Sequence, residues 1–252
     1  MTQRIRVATY NIHKGRGMDG LTRIERIARV LETIEADIVA LQEVVSHEGF
    51  SIEDHQAEYL ARRFGYSHTI GETRKHLGGI YGNVTLSRWA FEQTQQVDLS
   101  VPGREERGVL RTDVRLGPHL LHVFNAHLGT GYLERRKQAT RLVARDALKA
   151  IDIRGPRIVL GDFNEWTRGL VSQTLAREFH RTDLHVHLRR MRAYPSGLPL
   201  LSLDHIYYDH HFRVESAHFH RSRLSLLASD HLPLVADLLI DIPEGKKGTE
   251  VS

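Results

Sequence analysis

Residues 157–164 read RIVLGDFN, a short aliphatic run that stops on a glycine, an aspartate and an asparagine. Ile158, Val159 and Leu160 in unbroken succession have the length and composition of a buried strand. A strand that ends in a carboxylate and an amide delivers polar groups to the edge of a sheet, where a site can assemble. The same layout recurs outward along the chain. Asp37 to Glu43 (DIVALQE) is a second buried run, ending in Glu43. Arg6 to Asn11 (RVATYN) alternates apolar and polar residues and ends in Asn11, and His119 to His127 (HLLHVFNAH) ends in His127. Leu203 to Tyr208 starts beside Asp204 and His205, and Leu232 to Ile240 follows directly on Asp230 and His231. Asn83 to Arg88 and Gly108 to Arg115 also read as strands.

Two stretches carry helical spacing instead. Ile24, Ile27, Ala28, Leu31 and Ile34 fall on one helical face, and Tyr132 to Ala150 puts Leu142, Val143 and Ala147 on another. The order is strand, helix, strand, several strands in succession, then helix and strand again. It predicts an α/β protein with two mixed sheets rather than one parallel sheet. The chain has 252 residues, 40% of them hydrophobic, enough for a substantial core. No linker-like stretch divides it, so one domain is expected over residues 1–242. The tail 243–252, PEGKKGTEVS, lacks apolar anchors and is expected to be disordered.

Composition narrows the chemistry. The chain has no cysteine, which excludes a disulfide scaffold, a thiolate zinc site and a cysteine nucleophile. It shows no signal-peptide run and no stretch near the roughly 20 apolar residues of a membrane span, so a cytoplasmic monomer is expected. The formal net charge of +4 suits a phosphate-bearing partner as well as plain solubility. The basic residues are scattered, with short groups at Arg135-Arg136-Lys137 and Arg189-Arg190, unlike the tight cluster of a dedicated nucleic-acid binder.

Asn11, Glu43, His127, Asp162, Asn164, Asp204, His205, Asp230 and His231 all sit at the ends of apolar runs. Singly, each has an ordinary explanation, because Asn and Asp often end strands as turn residues. Together they make a set with one chemical sense. Oxygen donors without thiolate suit Mg²⁺ or Mn²⁺. Imidazole beside carboxylate suits proton transfer, and asparagine offers a neutral donor to a phosphoryl oxygen. Asp209-His210-His211 matches a metal patch in composition only.

The ordered motifs TYNIHKG, LQEV, YGNVTLSR, NAHLG, GDFNEW, LDHIYY and SDHLPL, spread over residues 9–234, resemble those of the endonuclease/exonuclease/phosphatase superfamily. The resemblance implies a four-layer α/β/β/α sandwich of two mixed sheets flanked by helices, with the site at one edge. It implies a divalent-metal-dependent phosphoesterase that uses Mg²⁺ or Mn²⁺ and hydrolyses its ester by attack of water. In that reading Glu43, Asn11 and Asp230 serve the metal. Asp162 orients or deprotonates the attacking water, and Asn164 contacts the phosphoryl group. His231 stands beside the scissile phosphate with Asp204 as its carboxylate partner, and His127 is a second histidine. His13, Lys14, Asn83 and Arg107 are expected to contact substrate.

His13 departs from the acidic residue that apurinic endonucleases carry at that position, and those enzymes lack the histidine of NAHLG. Both points lead away from a DNA-repair enzyme. NIHKG, ERRKQ, GDFNEW, YPS and LPLLSLDHIYY are similar to a bacterial subgroup of uncharacterised phosphoesterases. Some members of that subgroup are encoded near phospholipid-synthesis functions. The expected substrate is therefore a phosphodiester, phospholipid-related or otherwise small. The alternatives are a DNA or RNA endo- or exonuclease and, from another class, a non-catalytic phosphate-binding module. Nucleic acid and a membrane lipid headgroup both stay open as partners. Trp166 is placed either to stack on a substrate ring or to cover the core. The apolar GLPLLSLD stretch is placed either to line a pocket or to pack a sheet edge.

Overall fold

The computed structural model describes residues 2–47, 49, 51, 54–76, 78–145, 147–165, 169–181, 194–196 and 201–241. Trp166, residues 197–200 of the GLPLLSLD stretch, Arg189-Arg190 and the tail 243–252 lie outside them.

Strand β1 (Thr2–Asn11) leads through helix α1 (Ile24–Ile34) into β2 (Ile38–Ser46), and the two strands pair in parallel. This crossover follows from the predicted helical face, since Ile24, Ile27, Ala28, Leu31 and Ile34 are all buried against the sheet. Helix α2 (Gln56–Phe64) and strands β3 (Ser67–His76), β4 (Gly79–Ser87), β5 (Phe91–Asp98), β6 (Gly108–Leu116) and β7 (His119–His127) follow. Helix α3 (Tyr132–Leu142) crosses to β8 (Arg157–Asp162), which is parallel to β7. Helix α4 (Leu170–Leu175), β9 (His180–Arg181), β10 (Asp204–Tyr208), β11 (Phe212–Phe219), α5 (Ser225–Ala228) and β12 (Leu234–Asp241) complete the order.

The strands form two six-stranded sheets, ordered β11-β12-β1-β2-β4-β3 and β5-β6-β7-β8-β10-β9. Each has one parallel pair at its centre and antiparallel neighbours outside it. Ile5, Val7, Ile38, Val123, Leu160 and Ile206 are among the aliphatic residues that fill the space between the sheets. Helices α1 and α2 cover the outer face of the first sheet. Leu142 of α3 with Val171 and Leu175 of α4 cover the second around Phe124 and Phe163. This is the four-layer α/β/β/α sandwich. Among the described residues no helix is long and apolar enough to cross a membrane.

Helix α3 is shorter than its sequence pattern suggests, ending at Leu142 rather than Ala150. Ala147 and Leu148 are still buried, but a series of turns puts them there.

At one end of the sandwich the aliphatic filling gives way to amides. Gln42 donates to Asn125 Oδ1 (2.8 Å) and to Thr9 Oγ1 (3.1 Å), joining the two sheets. Asn125 Nδ2 donates to the carbonyls of Leu41 (3.0 Å) and Val84 (2.9 Å). Asn83 Nδ2 donates to those of Gly108 and Asn125, both at 3.1 Å. Such a layer gives strand carbonyls side-chain donors from across the interface and fixes the spacing of the sheets just beneath the site.

Candidate active site

Strand register brings the site together. Asn11, the last residue of β1, lies opposite Gln42 of β2. His127 lies opposite Asp162 at the ends of β7 and β8, and Asp204, at the start of antiparallel β10, lies opposite Asp162 on its other side. Gly161 makes this close lateral packing feasible. Its φ is +146°, and a Cβ there would meet the Ala126 carbonyl oxygen at 1.9 Å.

Local backbone departures aim the remaining groups. The period-two alternation of β2 would turn Glu43 toward the helix layer, on the side of Val39 and Leu41. A register shift between Leu41 and Val44, with Glu43 at φ +57°, swings its carboxylate to the mouth between the sheets. His13 (φ +46°), Lys14 (φ +59°) and Asn164 (φ +49°) also have left-handed backbone. Four of the five non-glycine residues with positive φ among the described residues therefore belong to this site; the fifth, Glu35, caps α1. Strained conformations of this kind persist where the surrounding structure holds them for function.

The carboxylates are joined by Asn11, whose Nδ2 donates to Glu43 Oε1 (3.2 Å) and Asp162 Oδ2 (3.0 Å). Lys14 Nζ donates to Glu43 Oε2 (3.1 Å). Burial opposes the charged form of Glu43, but His127, Lys14 and Asn11 hold its carboxyl down at about 2. Asp162 Oδ1 accepts from the Asn164 amide (2.9 Å), and Asn164 Nδ2 donates to the Leu128 carbonyl (2.8 Å). His13 Nδ1 lies 3.6 Å from Asp230 Oδ1.

The two histidines flank one oxygen. His127 Nε2 and His231 Nε2 each lie 3.7 Å from Asp162 Oδ2, and both rings are buried. Their backing groups are opposite in charge. His231 Nδ1 donates to Asp204 Oδ2 at 2.8 Å. Burial works against the imidazolium, but Asp204 and Asp162 outweigh it and raise His231 to about 10. His127 Nδ1 instead accepts from Arg107 Nη1 at 3.2 Å, since a guanidinium only donates, which leaves the ring proton on Nε2. Burial, then Arg107, pushes His127 down to about 4. One ring is thus a cation and the other a neutral donor, aimed at the same place. Asp162 is kept below the ordinary carboxylate range, because the histidines and Asn11 overcome its burial.

Two of the sequence-derived candidates do not face this cleft with their polar hydrogens. Asn83 is buried, with its amide committed to the backbone as described above. His205 Nε2 donates to the Glu165 carbonyl (3.1 Å) and packs on Phe163, supporting the loop after Asp162. Arg107 is buried behind His127, with Nη1 on that ring and Nη2 on Glu105. Tyr194 was not foreseen as a site residue; its ring sits 4.7 Å from that of His231. Only its place in YPS hinted at it.

Asp209, His210 and His211 place ligand atoms within 4.8 Å of one another, the one such trio among the described residues. They occupy the turn that joins β10 of the second sheet to β11 of the first, at the opposite end of the sandwich. Asp209 is already used there, accepting from Arg157 N (3.0 Å), Arg157 Nε (3.2 Å) and His211 N (3.1 Å). We read it as an anchor of that turn. Glu43 and Asp162 fit a hard divalent cation better: two anionic carboxylates joined by the Asn11 amide, with no thiolate.

The model of the Endonuclease/Exonuclease/phosphatase family matches residues 8–231. The chain belongs to the endonuclease/exonuclease/phosphatase family. The family match spans every one of the motif residues joined above. An Escherichia coli (strain K12) protein named "Uncharacterized protein YbhP" is 32% identical over 216 residues, covering 80% of this chain and 83% of that one. Solved structures of the family share its fold. The endonuclease/exonuclease/phosphatase of Bacteroides vulgatus superposes with a TM-score of 0.76 at 20% identity, over 95% of this chain and 100% of its own. A mannosyl-6-phosphatase of Bacteroides thetaiotaomicron VPI-5482 does so with a TM-score of 0.72 at 17% identity, over 93% and 99%. Members of this family are hydrolases of phosphate esters.

Proposed function

We propose that this family member is a Mg²⁺- or Mn²⁺-dependent phosphodiesterase acting on a small or phospholipid-related ester. The observation that carries the reading is the pair of imidazole Nε2 atoms, each 3.7 Å from Asp162 Oδ2, one backed by Asp204 and the other by Arg107. In hydrolysis the water oxygen bonds to phosphorus while the bond to the leaving oxygen breaks. Asp162 orients the water and takes one of its protons. His231, held as the imidazolium, donates to an oxygen that gains charge, and His127 Nε2 donates beside it. Asn164 and Asn11 fix the Asp162 carboxylate between them. Glu43, Asp162 and Asn11, with Asp230 close by, would hold the cation, which supplies charge neutralisation at the phosphoryl oxygens. Two imidazoles at one phosphate suit a diester, whose leaving alkoxide needs a proton.

The surroundings support a lipid-related substrate. Six large apolar side chains are exposed among the described residues. Met18 and Leu21 follow β1, Leu227 lies on α5, and Tyr132 and Leu133 open α3, all at the site end; Ile151 alone lies at the other. An apolar rim of this kind suits acyl chains better than a duplex phosphate backbone.

The test compares kcat/KM for bis(p-nitrophenyl) phosphate and p-nitrophenyl phosphate at saturating Mg²⁺. The proposal expects the diester to be preferred. A clear monoester preference, repeated on natural substrate pairs, overturns the diester assignment.

A further inference from the structure

Beside the site lies a second cationic feature, of which the chemistry above uses only the Arg107 Nη1 that backs His127. Strand β3 has its own register shift, between Glu72 and Arg74, on the opposite side of β4 from the shift that aims Glu43. It lays the Arg74 guanidinium over the buried Tyr81 ring at 4.4 Å, while Lys14 Nζ lies 5.7 Å from the same ring and bonds Glu43. Arg74 donates through Nη2 to Glu105 Oε1 (2.9 Å), and Arg107 donates through Nη2 to Glu105 Oε2 (2.6 Å). One carboxylate thus bridges Arg74 of β3 to Arg107 of its own loop, just before β6. The match is incomplete. Nε of Arg74 and Nε of Arg107 are both buried without a hydrogen-bond partner. Arg107 is 7% exposed, whereas Glu105 and Arg74 are part-exposed at the rim. Each guanidinium meets Glu105 through one terminal nitrogen, while a tetrahedral phosphate can accept from Nε and Nη together.

We propose that Arg74 and Arg107 form a subsite for a second phosphate of the substrate, and that the Glu105 carboxylate occupies it until that phosphate displaces it. The inference rests on the phosphoesterase reading for the scissile position but names what lies next to it. Arg74 is a specificity residue, set off from the scissile position by Tyr81 and Lys14. Arg107 keeps its Nη1 on His127, so filling the subsite also steadies that ring. The second phosphate belongs to a small soluble ester or to a lipid headgroup, and the chemistry recognised is the same.

Isothermal titration calorimetry in Mg²⁺ tests this with ethylene and hexamethylene bisphosphates against ethyl and hexyl phosphate. The wild-type protein should bind one of the bisphosphates about tenfold or more tighter than its monophosphate. Arg74→Ala should reduce that advantage to less than about twofold while bis(p-nitrophenyl) phosphate turnover stays near wild type. Glu105→Gln, which weakens the occupant, should tighten bisphosphate binding. No bisphosphate advantage in the wild type, or an advantage unchanged in both variants, overturns the proposal. Binding is read without turnover, so an inactive protein that still shows the Arg74-dependent advantage would refute the hydrolase reading alone. Co-sedimentation with phosphatidylcholine vesicles containing phosphatidylinositol 4-phosphate separates the sources. Arg74-dependent retention assigns a headgroup, and Arg74-dependent binding of the soluble ligands alone assigns a free ester.

Discussion

Asp204→Asn removes one charge from the site and almost no volume. In the native protein Asp204 is fully buried, its Oδ2 is 2.8 Å from His231 Nδ1, and His231 is raised to about 10. A raised imidazole carries its proton below that value and loses it as pH rises through it, so the native site keeps the imidazolium at pH 8. An asparagine oxygen still accepts the Nδ1 hydrogen but no longer compensates the charge. If His231 falls back to the ordinary ~6.5, only about 3% of it is protonated at pH 8, a loss of roughly thirtyfold. Misorientation adds to this, for a total of about 10²–10³ in kcat/KM at pH 8. The deficit should shrink by about 25-fold at pH 6, where about three quarters of the ring is protonated again. The assay is bis(p-nitrophenyl) phosphate turnover from pH 6 to 9, with Mn²⁺ affinity measured in parallel. Affinity should hold, because Asp204 serves the imidazole. A loss under about threefold, or one independent of pH, refutes the assigned role of the dyad. Collapse of metal binding would make Asp204 a ligand instead.

The amide layer and one ion pair give predictions of stability. Asn125→Leu keeps the shape but removes the amide that donates to the carbonyls of Leu41 and Val84 and accepts from Gln42 across the sheets. It should cost about 3 kcal/mol or more in urea denaturation, with unchanged m-value. Asp237 accepts from Arg6 Nε (2.8 Å) and Nη2 (3.1 Å); although burial opposes ionisation, Arg6 and Ser216 lower its carboxyl below the ordinary value. A lowered carboxyl stabilises the fold above the unfolded value and loses that contribution as pH falls through the folded one. Asp237→Asn should therefore lose about 1–3 kcal/mol at pH 7, and the gap to wild type should close below about pH 4.

The sequence exposed the site more completely than the sheets that hold it. The central strands β2, β7, β8, β10 and β12 are largely apolar because both faces are covered, and they were visible as such, as β1 was by its alternation. The strands that escaped notice, β3, β5, β9 and β11, are the four sheet edges. Edge strands face water and are kept polar, as SHTIGETRKH and FEQTQQVD show, so periodicity has little to register. Glu43, Asp162, His127 and His231 stood out because they terminate apolar runs. The subsite arginine did not. Arg74 lies inside an edge strand, and the register shift that aims it at Tyr81 leaves no mark in composition. Lys14 and Arg107 were visible as charges, but not the partners that hold them, Glu43 for one and His127 with Glu105 for the other. Those pairings depend on the two sheets facing each other.

The central claim is that Asp162, between two histidines of opposite charge state, activates water for a metal-assisted attack on phosphorus. The measurement that tests it most directly is the initial rate of bis(p-nitrophenyl) phosphate hydrolysis at saturating Mg²⁺ for the wild type and for folded Asp162→Ala. The account predicts a fall of at least about a hundredfold. A near-wild-type rate in the variant would contradict it.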